Sequence, residues 1–354
     1  MTGIRWLFAI GIAALLLGGC KPGAVKDCND ADKKCQQKAV AAHAIKSIAS
    51  WRAELEKPMA QRVSAAPASL LEFLTLDNQL QGFAERPVAP KLDAEFLTNF
   101  MDALNEIPPD VLNLVDSRLV GIRFVANLGG TGLTDFVYDS DGRVAGAFVV
   151  FDSSVLQSMT ANKWATWKER MPFIPVPGYS LDAQIETAAL DTRKNAIQYI
   201  LLHELGHVVS AGRNIHPNWN KSVQQLAASP DRFPFFETTW RFDAVEGTFW
   251  SKYDHDFPQR RDVVYYGVAR IPGSSMGPTY ASLEQTSFAT LYSATRPADD
   301  FAEAFANYVH VVKLHRPWQI VLEKDGKAIK TIQSCWDETR CGEKRKLIEE
   351  LIGS

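Results

Sequence analysis

A run of apolar and small residues from Ala196 to Ala211 contains two histidines and a glutamate, and it constrains the fold more than any other feature of the sequence. The run has no proline, and Gly212 follows it where a helix would end. It predicts a helix that is buried on nearly every side. Buried imidazole and carboxylate groups are costly unless they are satisfied, and a divalent cation satisfies all of them at once.

His203 and His207 lie four positions apart, so both rings project from the same side of the predicted helix. Zn²⁺ accepts imidazole nitrogens, and a catalytic zinc site keeps one of its four positions for water. Glu204 directly follows the first histidine, where its carboxylate can take a proton from that water. The alternative is a core helix whose polar groups form hydrogen bonds elsewhere. We expect a zinc site built for hydrolysis.

The His-Glu-x-x-His string with apolar flanks resembles the signature of the zincin metallopeptidases. A second helix is predicted from Pro297 to Pro317, with Asp299 and Asp300 as potential N-terminal caps. Its apolar stripe contains Phe301, Phe305, Tyr308, Val309 and Val312. Periodicity alone places Glu303 on the opposite, solvent-facing side.

The string Asp-Phe-Ala-Glu-x-Phe at residues 300–305 resembles the gluzincin pattern, in particular that of catalytic domains similar to anthrax lethal factor. This resemblance implies that Glu303 is the third zinc ligand, beside the two histidines. A set of two histidines and one glutamate is a known catalytic zinc shell. Small residues around Glu303 would permit the close helix approach that such a site needs. Glu237 and Glu246 are weaker rivals for the third ligand.

The same resemblance implies secondary roles. Tyr292 stands about where related domains carry an oxyanion-stabilising tyrosine, so we expect it to polarise the scissile carbonyl. The alternatives for this role are Tyr265, Tyr280 and Tyr308. Asn307 occupies the place of an acid that orients a ligand histidine, and Asp299 or Asp300 are alternatives for that task. The remaining histidines are expected to be structural or at the surface: His216, His255, His310 and His315.

Residues 1–19 predict an export signal, because the apolar stretch over 6–17 is too short to span a membrane. The string Leu-Gly-Gly-Cys that ends at Cys20 resembles a bacterial lipobox, which implies that Cys20 is lipidated after cleavage. Lys21, rather than aspartate, follows, and this resembles the sorting class of the outer membrane. The alternative is an ordinary secreted protein. We expect a lipid-anchored protein of the bacterial envelope, at the outer membrane and facing the periplasm or the cell surface.

Four further cysteines fall as two close pairs, which predict disulfides in an exported chain: Cys28 with Cys35, and Cys335 with Cys341. The formal net charge of −3 and the pI near 6.2 argue against a nucleic-acid partner. We therefore expect the membrane, through the lipid anchor, and a protein or peptide substrate as partners.

The predicted fold class is α+β. A polar tether at 20–44 leads into a helical region at 45–118. Helical patterns in this region cover residues 45–62, the segment after Pro67 up to Gly82, and residues 92–107. Strand patterns begin at Leu119. Residues 119–317 are expected to form one zincin-like domain, with a small mixed sheet, the active-site helix and a second helix that carries the third ligand. Residues 318–354 form a disulfide-stapled tail that closes with a short helix.

The apolar run "AGAFVVFD" at 145–152 has two interpretations. In zincin-type folds an edge strand of this kind lies above the active-site helix and pairs with an extended substrate. Alternatively it is a plain core strand, since periodicity does not separate the two.

The function predicted from these features is a zinc metallopeptidase that hydrolyses peptide bonds in the bacterial envelope. Two alternatives stay open. One is a non-catalytic, metal-binding lipoprotein that binds or scaffolds an envelope partner. The other is a zinc amidase acting on cell-wall peptides. An intact Glu204 favours catalysis, because a pure binding module gains nothing from a general base beside its metal.

Overall fold

The structure is a computed structural model that describes residues 28, 32–217 and 223–353. The predicted signal segment and the lipidation site Cys20 lie outside the described residues. In the described part of the chain, no helix is long and apolar enough to span a bilayer. Helices and several small sheets alternate along the chain, which confirms the α+β class.

The helices are α1 (Lys33–Ala42), α2 (Arg52–Leu55), α3 (Ala68–Gln81), α4 (Ala94–Asn105), α5 (Pro109–Val115), α6 (Ala161–Arg170), α7 (Arg193–Ser210), α8 (Val223–Ala227), α9 (Pro234–Glu237), α10 (Met276–Leu283), α11 (Pro297–Tyr308) and α12 (Gly342–Ile352). The strands are β1 (Val63–Ala65), β2 (Leu119–Val125), β3 (Gly132–Tyr138), β4 (Val144–Asp152), β5 (Phe173–Ile174), β6 (Tyr179–Gln184), β7 (Trp240–Asp243), β8 (Thr248–Ser251), β9 (Ile271–Pro272), β10 (Gln319–Lys324) and β11 (Lys327–Gln333). A π-helical turn, Val309–Lys313, extends α11 toward Pro317.

The main sheet has the strand order β1-β2-β4-β3. β1, β2 and β4 run parallel, and β3 pairs antiparallel with β4, with Thr134 opposite Val149. The apolar run at 145–152 is part of β4, so it is the plain core strand of our two interpretations. Both faces of β4 are covered, whereas the edge position next to it belongs to β3. Residues of β3 are mostly half-buried.

Each face of the main sheet packs against helices. On one face, Phe148 and Val150 of β4 contact α3 and the segment around Trp51. On the other face, the principal core joins α4, α5, α7 and α11 with β2 and β4. The predicted N-terminal helical region therefore supplies strand β1 and helices on both faces, and it shares its core with the residues that follow.

Several predicted helices are confirmed, and one segment differs. α3 ends where Gly82 takes a left-handed φ of 86°, and α4 begins with Asp93 capping the amide of Phe96. The predicted helix at 45–62 is instead a series of short turns around α2, interrupted at Pro58. The expected polar tether contains helix α1, which Asp32 caps.

Both predicted disulfides are present, with Cα–Cα distances of 5.6 Å for Cys28–Cys35 and 5.8 Å for Cys335–Cys341. The second disulfide is buried, and it holds Trp336 in the principal core. β10 of the predicted tail pairs antiparallel with β6, so the sheet β11-β10-β6 joins the tail to the centre of the chain. Residues 318–353 thus pack as part of the same body.

A buried ion pair fixes the C-terminal helix to α11. Lys344 Nζ of α12 lies 2.6 Å and 2.7 Å from the two carboxylate oxygens of Asp300, and neither side chain is exposed. The Trp240 indole also donates to Asp300, at 3.0 Å. Burying two charges is favourable only when they satisfy each other, so each partner depends on the other.

We predict that Lys344→Met lowers the free energy of unfolding by about 3–5 kcal/mol, because it leaves the Asp300 carboxylate buried without its cation. The double variant Lys344→Met/Asp300→Asn should recover most of this loss. The control is Lys346→Met on the same helix, where 75% of the lysine side chain is exposed and the expected change is within about 0.5 kcal/mol. Urea denaturation measures the free energy of unfolding of all three variants. Equal losses in Lys344→Met and Lys346→Met would contradict the pairing.

Candidate metal centre

Helices α7 and α11 cross in close contact, and this crossing builds the candidate site. Gly206 of α7 faces the backbone of α11: a Cβ atom placed on it would lie 2.8 Å from Ala302 Cα and 3.1 Å from the Ala302 carbonyl oxygen. Ala302, Ala304 and Ala306 are all buried. The predicted close approach through small residues is therefore present, and it places the first turn of α11 beside the histidines of α7.

The two histidines face each other, with 3.2 Å between their Nε2 atoms. Asp299 Oδ1, from the first turn of α11, lies 3.5 Å from His207 Nε2. Ligand atoms of these three side chains all lie within 4.8 Å of one another. Two imidazole nitrogens and one carboxylate oxygen are donors that Zn²⁺ accepts in catalytic sites, so the group fits a divalent metal ion.

Glu303 does not lie in this group, unlike the position that the resemblance implies. Its Oε1 atom lies 2.9 Å from His203 Nδ1, on the side of the ring that faces away from His207. The structure places Asp299 next to the histidine Nε2 atoms and Glu303 one helical turn further along, behind His203. Both acids lie on the same face of α11, and the register of the crossing decides which one reaches the site.

Arg296 and Thr295 hold the second oxygen of Asp299. Arg296 Nε lies 2.5 Å from Asp299 Oδ2, and the Thr295 hydroxyl donates to the same oxygen at 3.2 Å. Burial alone would raise the pKa of Asp299, but Arg296 and then His207 outweigh it and hold that pKa well below its usual range. Asp299 is thus a charged carboxylate with Oδ1 turned toward His207.

Glu303 is fixed at both carboxylate oxygens and is 1% exposed. Lys168 Nζ donates to Oε1 at 2.7 Å, and the Thr290 hydroxyl donates to Oε2 at 2.9 Å. Burial opposes ionisation of Glu303, but Lys168 and His203 more than offset it and lower the pKa to about 2. A charged, fixed carboxylate therefore faces His203 Nδ1.

Glu204 lies against the edge strand β3. The Thr134 hydroxyl donates to Glu204 Oε2 at 2.6 Å. A Cβ atom on Gly132 would lie 2.5 Å from Glu204 Oε1, so glycine is the residue that leaves room for this carboxylate. Thr134 and Gly132 are two residues apart and point to the same face of β3. The strand therefore sets the position of the predicted general base.

Tyr292 lies beside the histidines, with its ring centroid 5.6 Å from that of His203. Burial raises its pKa well above the usual range, so the phenol stays protonated and can donate a hydrogen bond. The alternatives have other partners: the hydroxyls of Tyr265 and Tyr280 contact Glu169, and that of Tyr308 contacts Glu349.

Tyr266 is a site feature that the sequence did not reveal. It adopts a left-handed φ of 55°, which is uncommon for a bulky residue and concentrates at functional sites. Its hydroxyl lies 3.1 Å from the Thr131 hydroxyl, just before β3, and its ring lies 6.5 Å from Tyr292. The Tyr265 and Tyr266 rings both pack against Tyr292, which lies beside His203.

Other expected site residues lie outside the metal-compatible group. Asn307 accepts a hydrogen bond from Trp336 and donates to Tyr199, so it joins the tail to α11 and does not orient a ligand histidine. Glu237 pairs with Arg232, and Glu246 is exposed in the β7–β8 turn. Neither Asp299 nor Asp300 caps α11, because the N-cap is Arg296 and both acids point inward.

The remaining histidines differ in burial. His310 is buried, and its Nε2 lies 2.8 Å from the Ile185 carbonyl oxygen, which agrees with a structural role. His216 is also buried, and burial lowers its pKa to about 4. His255 is almost fully exposed, and His315 is an exposed residue with a left-handed φ of 54°.

No protein-family model, no curated protein and no solved structure matches this chain. The chemistry of the site therefore rests on the side chains themselves. Two histidines on α7 and one acid on α11 form a compact set of metal-compatible donors. Glu204, which follows the first histidine in the sequence, accepts a hydrogen bond from Thr134 of β3.

We predict that Gly206→Ala separates α7 from α11 and disrupts the site. The added methyl group meets the Ala302 backbone, which has no freedom to rotate away, so a loss of about 1–3 kcal/mol of stability is expected together with weaker metal binding. The matched control is Gly277→Ala in α10, where a Cβ atom would meet no heavy atom within 4 Å. Thermal unfolding and zinc titration of both variants check this, and equal behaviour of the two would refute the close crossing.

Proposed function

We propose that the chain is a zinc-dependent metallopeptidase with a zincin-type active site in which His203, His207 and Asp299 bind the metal. The observation that carries the proposal is the group formed by these three side chains, whose ligand atoms lie within 4.8 Å of one another. Glu303 serves as the acid that orients His203. The proposal retains the ligand histidines and the base that the resemblance implies, and it replaces Glu303 by Asp299 as third ligand.

His203, His207 and Asp299 would hold a zinc ion, which would supply Lewis acidity and make water more acidic, with a pKa of about 7. Glu204 accepts the proton of the attacking water and then delivers it to the leaving amine. Thr134 and the close Gly132 backbone hold the carboxylate in place for both transfers. Tyr292 donates a hydrogen bond to the oxyanion that develops on the scissile carbonyl.

The edge position of β3 supports an extended peptide as substrate. An edge strand presents backbone groups that an extended chain can pair with. Ser47 already bridges to Tyr138 at one end of β3, whereas the other end, at Gly132 and Thr134, lies against Glu204. A peptide bound along β3 would pass its backbone over the general base. We therefore propose peptide bonds of envelope proteins, or of cell-wall peptides, as the substrate class.

We further propose that the enzyme acts in the bacterial envelope, anchored through Cys20. The lipobox-like string and the Lys21 that follows it support an outer-membrane lipoprotein. Two disulfides support an oxidising compartment such as the periplasm.

The decisive test separates metal binding from catalysis. Glu204→Gln keeps the size of the side chain and the three ligands, so about one zinc ion should stay bound per chain while hydrolysis falls by roughly 10² to 10⁴. Asp299→Asn should instead weaken zinc binding, because a structural or catalytic zinc needs its ligand set nearly complete. Zinc content by mass spectrometry, and cleavage of a peptide library and of purified peptidoglycan side by side, measure both effects.

Two results would contradict the proposal. If Glu204→Gln cleaves as fast as the wild type, Glu204 is not the base. If the protein binds zinc, cleaves neither substrate and keeps its cellular phenotype in the Glu204→Gln variant, the non-catalytic binding protein is the correct alternative.

A further inference from the structure

We infer that Lys168 is a positioning residue for the metal centre, and that it acts on His203 through Glu303. This inference rests on the proposed function, because it assumes that His203 binds a metal. Lys168 belongs to α6, a helix that contributes no residue to the metal-compatible group. Its Nζ atom contacts the site through the Glu303 carboxylate and the Tyr292 ring.

The contacts form a short chain from Lys168 to His203. Lys168 Nζ lies 2.7 Å from Glu303 Oε1, and this same oxygen lies 2.9 Å from His203 Nδ1. The ammonium thus donates a hydrogen bond to this oxygen, and the imidazole nitrogen contacts the same oxygen without the alignment of a hydrogen bond. The other oxygen, Oε2, accepts from Thr290. A carboxylate held at both oxygens cannot rotate, so it defines where His203 Nδ1 must lie.

The ammonium is itself closely surrounded. Only 6% of the Lys168 side chain is exposed, and its Nζ atom lies 4.3 Å from the centre of the Tyr292 ring and 5.4 Å from that of Trp164. Such aromatic faces attract a cation and exclude water from it. The charge of Lys168 is therefore satisfied by Glu303 and these rings, and it stays fixed at the far side of the carboxylate.

This arrangement determines which nitrogen His203 offers to a metal. A fixed carboxylate at Nδ1 favours the tautomer with a proton on that atom and leaves the Nε2 lone pair facing His207 and Asp299. Without Lys168, Glu303 loses one of its two anchors and the ring of His203 loses its fixed partner. Metal affinity should then fall although no ligand has changed.

The test compares Lys168→Met with Lys163→Met, which removes the same charge from an exposed position on the same helix. Zinc affinity is measured by competition with a chelator, and the visible spectrum of the Co²⁺-loaded protein reports the ligand geometry. We expect Lys168→Met to bind zinc about 10-fold to 100-fold more weakly and to shift the Co²⁺ spectrum, as is typical for loss of a residue that orients a ligand. Lys163→Met should match the wild type in both measurements.

A double-mutant cycle distinguishes action through Glu303 from a separate effect. If Lys168 acts through Glu303, the variant Lys168→Met/Glu303→Gln binds zinc as Glu303→Gln does, within roughly twofold. Losses that multiply would overturn the inference. Should Lys168→Met not fold, Lys168→Gln takes its place, because the shorter amide carries no charge and leaves room in the same cavity.

Failure of the inference and failure of the proposed function look different. Wild-type zinc affinity in a folded Lys168 variant overturns the inference alone, and the wild-type protein still binds zinc and cleaves peptides. A wild-type protein that binds no zinc overturns both.

Discussion

The contact between Gly206 and Ala302 is the constraint on which the rest of the site depends. Because α7 and α11 touch at backbone distance there, the first turn of α11 lies beside the two histidines of α7. The same contact places Glu303 one turn further on, behind His203. A wider crossing would carry both acids out of reach, and the metal-compatible group would not form.

Three inward-facing acids on α11 each meet a cation from a different part of the chain. Asp299 pairs with Arg296 at the start of the helix, Asp300 with Lys344 of α12, and Glu303 with Lys168 of α6. The Lys344–Asp300 and Lys168–Glu303 pairs are buried on both sides, and leaving one partner of such a pair alone is costly, so these pairs favour the observed arrangement of the elements that carry them. The pairs therefore explain why the C-terminal region and α6 belong to the same body as the candidate site.

Much of the fold follows from local patterns in the sequence. The run 196–211 predicts α7. Pro67 and Gly82 delimit the helical pattern that predicts α3, and the cysteine spacing predicts both disulfides. Which acid of α11 lies next to the histidine Nε2 atoms was not predictable in the same way, because Asp299 and Glu303 share one face of α11 and only the long-range crossing with α7 distinguishes them. The local sequence shows only that Lys168 lies one helical turn after the apolar Trp164. It does not reveal the partner of Lys168, because Glu303 is 135 positions away. The edge position of β3 likewise depends on the strand order of the sheet.

The most direct test of this account is anomalous X-ray diffraction at the zinc edge from crystals of the zinc-loaded protein. We predict one strong peak between His203 Nε2, His207 Nε2 and Asp299, at about 2.0–2.2 Å from each ligand atom, with Glu303 remaining on the Nδ1 side of His203. A peak coordinated by Glu303 with Asp299 turned away, or no peak near the two histidines, would contradict it.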